Sequence, residues 1–536
     1  MKERLQVLVF CGFVTYLALF YQIGRLPFFG SDEPRYARIA EEMNQTGDFV
    51  TPHLEGRPWL EKPPLLFWLE AASFRVLGPS EAAARLPNAI LGVLGALVMG
   101  LLAYQVFGIR LGLITYLILV TAAMYDIFAR AASTDLPLTV ALSASIAAGY
   151  MATRRKQLIW PAAAGACLGL AVLAKGPVAI VIFLAIFGLF FFARDRIEWS
   201  FNQMLLGAAV LMGVTAPWFW LVWRANGHNF VMTFWVNHHL ARFATSLHHH
   251  AEPFWFYLPL VVLGFFPWVF FLGSAAVETW RARFQLDREP VSFQLLLWIW
   301  ALVPLLFFSL SSSKLAGYIL PVFPPLALLS AIQWRRFVRG EVAVLAPMRI
   351  QLACLGAFSA LLVPALVLGF YFRYHALSVG AIVSLPVVGA ILWGQSEFRR
   401  RRPVTLFLTL VAGMTLTLAL VYRLASPVVA QYHSTYAVIQ AAKPEISRAE
   451  PLIFYRFFHH SARYYSDYMT TREPINTPEG LITYARKHPQ RQYLLLTQKA
   501  GYEQLSRVAD AAIVSHTGPF YLVRIVEPPA DWKVEK

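Results

Sequence analysis

Residues 177–193 read PVAIVIFLAIFGLFFFA, a run without a single charged side chain. Such a run is stable only where no water reaches it, and about 20 apolar residues cross the roughly 30 Å of a bilayer's hydrocarbon core. Working outward, Lys175-Gly176-Pro177 separates it from a second apolar run at 158–174, so the two are either consecutive spans or one broken element. Comparable windows lie at 5–24, 84–104, 111–128, 136–152, 203–223, 254–274, 292–310, 315–333, 350–371, 377–395 and 405–424, about thirteen in all. The first follows Lys2 and Arg4 with no small-residue cleavage site after it, so it reads as a retained span rather than a signal peptide.

Composition agrees. Of 536 residues, 58% are hydrophobic and only 14% charged, against about 25% charged in a soluble domain; a soluble enzyme is excluded. The 46 Lys+Arg against 30 Asp+Glu give a net charge of +16, which in a soluble chain would suggest nucleic acid. Here the basic residues fall in every second loop: Arg110, then Arg154-Arg155-Lys156, Arg194 and Arg196, Arg335, Arg336 and Arg339, and Arg399 through Arg402. That is the positive-inside pattern, and it leaves no case for nucleic acid as a partner. Cys11, Cys167 and Cys354 all lie in apolar runs, so no disulfide framework and no thiolate metal site is expected.

With the N-terminus inside, the opposite face carries two long loops, about 25–83 and 224–253, and a tail. The expected organisation is a membrane domain over 1–424 and a small α/β domain over 425–536. In the tail, strand-like runs (451–455, 492–497, 520–526) alternate with helical ones (459–468, 478–487, 500–509). No inverted repeat is present, and the charged candidates sit at the outer ends of spans rather than at mid-membrane, which speaks against a transporter.

The outer-face residues carry the chemistry. Asp32 and Glu33 begin a helical stretch directly after the first span. A carboxylate there either caps the helix N-terminus or acts as a base toward an acceptor hydroxyl. In Glu61-Lys62-Pro63-Pro64 the prolines impose an extended backbone, so Glu61 and Lys62 point to different partners; Lys62 is either a snorkelling interfacial lysine or a fixed charge for a phosphate. Asp135 stands where a turn enters a span, and an ionisable group there is a functional candidate by default. Lys175 and Lys314 also lie at outer span ends, against the positive-inside bias. The second loop gathers His238, His239, Arg242 and His248-His249-His250. Arg242 suits phosphate oxygens, whereas His239 with Glu61 could hold a divalent metal, Zn or Mg.

As a set, these motifs resemble a known family. Asp32-Glu33-x-Arg35-Tyr36-Ala37, Gly47-Asp48-Phe49-Val50-x-Pro52-His53 and Glu61-Lys62-Pro63-Pro64 look like the first outer loop of ArnT-like, lipid-A-modifying aminoarabinose transferases. His239-x-x-Arg242-Phe243, His250-x-x-Pro253-Phe254-Trp255 and Lys314-Leu315-x-x-Tyr318-x-Leu320-Pro321 continue the match in order, over about residues 1–335. More distantly, the plan is similar to protein O-mannosyltransferases.

The resemblance implies a GT-C fold: a polytopic α-helical membrane protein of about 13 transmembrane helices with a periplasmic α/β domain, in a bacterial inner membrane. It implies an inverting glycosyltransferase that uses a polyprenyl (undecaprenyl) phosphate sugar, with 4-amino-4-deoxy-L-arabinose as the family's sugar and membrane lipids around it. The acceptor is lipid A or another envelope glycan; Pro63-Pro64 is the form of the broader family, which keeps protein O-glycosylation as the alternative. Carried over position by position, Asp32 is the catalytic carboxylate with Glu33 beside it, and Asp135 is a second acidic position. Lys62 and Arg242, with Lys175, Lys314 and Tyr318, fall to the donor phosphate. Glu61 and His239 fall where a metal sits in the family, without establishing that this chain needs one.

Overall fold

The computed structural model describes residues 2–241, 252–281, 289–446, 450–490 and 492–526. Arg242 and His248–His250 lie outside these residues, as does the side chain of His239. The chain forms two compact units: one of Met1–Ile23 and Ile39–Tyr422, the other of Gly24–Arg38 and Arg423–Lys536.

The first unit is helical. Among the described residues, eight helices are long and apolar enough to cross a membrane: Glu81–Phe107, Asp135–Arg154, Phe201–His238, Pro290–Leu310, Ala316–Val338, Val342–Tyr374, Leu377–Arg399 and Pro403–His433. Two bent pairs, Ile109–Val120 with Ala123–Ala129 and Phe254–Gly264 with Trp268–Arg281, turn by 69° and 97° and raise the number to at most ten. The expectation of about thirteen included Arg4–Phe20, Ile159–Lys175 and Val178–Ala193, which are apolar but shorter than the roughly 20 residues a perpendicular crossing needs. Length and composition therefore support eight to ten.

Pro267, which has no N–H to continue a helix, falls in the second break. The two breaks are tied to each other: the buried Trp268 indole donates to Thr121 Oγ1 at 3.1 Å. Helix burial divides core from rim. The apolar windows of Asp135–Arg154 and Ala316–Val338 are 89% buried, that of Val342–Tyr374 only 17%, so the last offers its side chains to lipid. Where two helices must touch along their backbones, small residues allow it: a Cβ on Gly165 would stand 2.1 Å from the Gly207 carbonyl oxygen.

Neither expected outer loop is unstructured. Residues 25–83 contain helices Asp32–Thr46 and Leu65–Leu77 and a hairpin of β1 (His53–Leu54) with β2 (Arg57–Pro58). The helix that begins at Phe201 continues to Phe230, with non-helical angles at Gly227, and helix resumes over Val231–Ala241. The first part of the expected 224–253 loop is therefore helical. Gly227, at φ 53° and ψ −130°, is the break that hydropathy took for a span end.

The second unit carries a four-stranded sheet in the order β3 (Ile453–Phe454), β4 (Tyr493–Gln498), β6 (Phe520–Ile525), β5 (Ala511–Thr517). The β3–β4 pair is parallel and the other two are antiparallel. Helices His460–Tyr465, Pro478–Lys487 and Lys499–Val508 accompany it. Three strands and three helices match the sequence expectation; β5, the edge strand next to the Gly518-Pro519 turn, was not foreseen.

Candidate active site

Residues 47–64 form a rigid support for Lys62. Glu55 and Gly56 both take positive φ, 57° and 71°, the tight hairpin geometry in which two successive N–H groups face one way. The buried Glu42 carboxylate accepts both, at 2.8 and 2.9 Å. Asp48 Oδ1 accepts the N–H groups of Val50 and Thr51 at 2.9 and 3.0 Å. Indole groups then hold the two carbonyls between them: Trp68 donates to Phe49 O at 2.8 Å and Trp218 to Val50 O at 3.0 Å. Leu60 belongs to one apolar cluster with Leu173, Trp218, Val222 and Phe234. The Gly-Asp-Phe-Val and Glu-Lys-Pro-Pro motifs are thus largely scaffold. They fix the half-buried Lys62 between the hairpin and helix Leu65–Leu77, and Leu60 shares its cluster with a residue two positions from Lys175.

Asp135 opens helix Asp135–Arg154 and Lys175 closes helix Ile159–Lys175. Each charge therefore sits at the helix end that favours its sign. The two side chains, 16% and 11% exposed, form a direct ion pair. Ser133 Oγ donates to Asp135 Oδ2 at 2.8 Å and accepts the Asp135 N–H at 3.1 Å. The Lys175 ammonium also lies 4.5 Å from the centre of the Tyr318 ring, a favourable cation–π distance. Gly317 is what lets the Tyr318 turn come this close: a Cβ there would stand 2.5 Å from Asp135 Cγ. Asp135, Lys175 and Tyr318 are thus one site. Gly317 and Ser133 were missed by sequence reasoning, although Gly317 sits inside the Lys314–Pro321 motif and Ser133 two residues before Asp135.

Lys314 is buried in the same turn region, its Nζ donating to Ser311 O at 2.7 Å and Glu252 O at 2.9 Å. Two of its three donors are committed in this way. The Tyr257 hydroxyl donates to Leu315 O at 3.2 Å and steadies the next residue. At Glu61 the approaching imidazole is that of His238, with Nε2 3.9 Å from Oε1. No group of three or more His, Cys, Asp or Glu side chains suited to a metal occurs among the described residues. Among the described residues Glu61 with one imidazole is all that gathers there.

The two carboxylates of the first loop have different surroundings within the second unit. Glu33 is buried, and its Oε2 accepts the Phe29 N–H at 2.9 Å, a structural bond in the turn before its helix. Asp32 is 52% exposed and pairs with Arg35 on the next turn. His460 lies in the same electrostatic neighbourhood. Its pKa is pushed down to about 3, first by burial and then by Arg35, His459 and Arg463, with Asp32 opposing. His459 is pushed down to about 4 by burial and by His433. The aromatic run after His460 packs on the first loop: Tyr465 OH accepts the Phe28 N–H at 2.7 Å, and the Phe28 ring meets Tyr464 edge-on at 5.1 Å.

Residues 61–223, which open on Glu61-Lys62 and enclose Asp135 and Lys175, match the family model described as dolichyl-phosphate-mannose-protein mannosyltransferase. An undecaprenyl phosphate-alpha-4-amino-4-deoxy-L-arabinose arabinosyl transferase of Aeromonas salmonicida is 32% identical over 331 residues, 59% of this chain and 58% of its own length. The protein of the same name from Erwinia tasmaniensis is 31% identical over 367 residues, 67% of this chain and 65% of its own. The crystal structure of ArnT from Cupriavidus metallidurans, bound to undecaprenyl phosphate, superposes with a TM-score of 0.77 at 24% identity and covers 99% of both chains. The fold is ArnT-like. The chain's sequence alignment takes in less than two thirds of either relative's length, whereas the fold matches end to end. The ArnT-like architecture therefore extends through the C-terminal α/β unit, which the motif resemblance over 1–335 did not reach.

Proposed function

We propose that this protein is a GT-C glycosyltransferase that takes a sugar from a polyprenyl-phosphate donor and passes it to lipid A or another envelope glycan. The supporting observation is that the segment matching a polyprenyl-type mannosyltransferase family encloses a nearly buried Asp135–Lys175 pair under Tyr318. The relatives named as undecaprenyl-phosphate arabinosyl transferases supply the donor class, and 4-amino-4-deoxy-L-arabinose is the sugar they favour. In this reading all thirteen apolar stretches among the described residues cross a bacterial cytoplasmic membrane, two of them as bent pairs and the three shorter ones by local thinning of the bilayer, and the C-terminal unit faces the periplasm.

In the reaction, an acceptor oxygen forms a bond to the anomeric carbon while the bond from that carbon to the phosphate oxygen breaks, with inversion. Asp32 takes or orients the proton of a hydroxyl acceptor; its exposure suits this role better than that of Glu33, whose carboxylate is spent on the Phe29 N–H. The polyprenyl phosphate leaves with added negative charge. Lys62, Lys175 and Arg242 would meet that charge, with Lys314 and Tyr318 shaping the wall. Stabilising charge that develops in the transition state is usually the largest catalytic term.

A second reading, protein O-glycosylation, is favoured by the mannosyltransferase description of the matching family. The test is transfer by the purified protein from an undecaprenyl-phosphate sugar to lipid A or to a Ser/Thr-rich peptide. Product on lipid A supports the first reading, product on peptide the second, and no product with either acceptor refutes both.

A further inference from the structure

Asn88 belongs to helix Glu81–Phe107, directly after Pro87, and is completely buried. Its amide nitrogen donates one hydrogen to Ala131 O at 2.5 Å and the other to Ser133 O at 2.8 Å. Both carbonyls belong to the turn between helices Ala123–Ala129 and Asp135–Arg154. Carbonyls in a half-buried turn have no partner in a helix or sheet, and here one buried side chain serves two. The amide oxygen has no partner among the described residues, so the contribution of this side chain is donation to the turn.

The turn in question carries Asp135. From Asn88 the bonds continue through Ser133, whose carbonyl is held and whose hydroxyl donates to Asp135 Oδ2 and accepts the Asp135 N–H. Gly317 closes on the same carboxylate, a Cβ there standing 2.5 Å from Asp135 Cγ. The Asp135 carboxylate is thereby fixed by a hydrogen-bond chain and by close backbone packing, and it in turn holds Lys175.

The geometry points to Asn88 as a positioning residue for the Asp135–Lys175 pair, acting through Ser133 and touching no substrate. The inference rests on the proposed function for the meaning of Lys175, but the positioning itself does not. Displacements of about 1 Å in a reacting group can cost on the order of a hundredfold in rate, so a loosened turn shows in turnover rather than in affinity.

The test compares wild type with Asn88→Leu, Ser133→Ala and the double variant, as full-length protein in detergent. Three quantities are read: kcat, KM for an undecaprenyl-phosphate sugar, and hydrogen exchange of residues 130–136. Expected are a fall in kcat of about 10- to 100-fold for each single variant, KM within about twofold, faster exchange confined to 130–136, and a double variant no slower than the worse single one. A folded N88L protein with wild-type kcat overturns the inference, as do effects that multiply in the double variant. If N88L yields no folded protein, S133A decides, and an unchanged kcat there refutes the chain from Asn88 to Asp135. A wild-type protein that transfers nothing refutes the functional reading instead. Exchange at 130–136 then decides the positioning role alone, and unchanged exchange refutes it.

Discussion

Replacing Lys175 by Met separates what the Asp135–Lys175 pair does for stability from what it does for transfer. The substitution keeps most of the apolar stem and removes the charge, leaving Asp135 with the Ser133 hydroxyl and its helix N-terminus as its remaining stabilisers. Breaking a buried pair costs about 3–5 kcal/mol. The remaining exposure of Asp135, 16%, and the favourable helix end, worth about 0.3–1 kcal/mol, bring the expected loss to about 2–3 kcal/mol. In D135N/K175M no charge is left uncompensated, so stability should return to within about 1 kcal/mol of wild type. Activity should behave otherwise. If Lys175 meets charge on the leaving phosphate, its loss lowers kcat by about 100- to 1000-fold, and the added D135N change restores none of it. Thermal unfolding in detergent and transfer from an undecaprenyl-phosphate sugar read the two quantities on the same preparations. A double variant as unstable as K175M, or a K175M protein with near wild-type kcat, would show the reasoning to be wrong.

Three further outcomes follow from the same geometry. Gly317→Ala places a Cβ where Asp135 Cγ is 2.5 Å away; overpacking of this kind costs about 1–3 kcal/mol, and activity should fall with Asp135 displaced, as measured by kcat against unfolding temperature. Glu42→Ala leaves the Glu55 and Gly56 N–H groups without their acceptor, at about 1–3 kcal/mol, and should lower kcat by loosening the Lys62 support. His459 and His460, with pKa values near 4 and near 3, take up protons in the unfolded chain below about pH 6.5 but not in the folded one. The second unit should therefore lose stability as pH falls from about 6.5 toward 4, by on the order of 1 kcal/mol per histidine at pH 5.5. H459N/H460N should flatten that part of the stability profile.

Hydropathy found each candidate span among the described residues, because burial in lipid leaves a signature residue by residue. It could not tell which helices run long enough to cross. It also missed the bend at Thr121-Ala122, since a bend depends on a partner, here Trp268, that is far away in sequence. The six described helices and strands expected in the tail were legible from their periodicity. β5 was not, although the Gly518-Pro519 turn before the strongly apolar β6 is a hairpin signal. At the site, ionisable residues in unusual places announced themselves: Asp135, Lys175 and Lys314 stand against the charge pattern of a membrane protein. What stayed hidden was mutual arrangement. That Asp135 meets Lys175 and that Asn88 holds a turn 43 residues away are tertiary facts. Asn88 left only the faint trace of an amide within an apolar window. Asp126 was legible by the same rule and passed over. It is a buried acid inside an expected span, bound by the Tyr422 hydroxyl at 2.7 Å, with the Arg130 guanidinium over the Tyr422 ring.

In the proposed reaction this chain transfers a sugar to an envelope glycan with Asp32 at the reacting centre. A mass spectrum of lipid A from cells that carry the wild-type protein, the Asp32→Asn variant at equal membrane abundance, or neither, tests it most directly. An added sugar mass is expected with wild type alone. The same addition with D32N would contradict the role of Asp32, and lipid A unchanged by the wild-type protein would contradict lipid A as the acceptor.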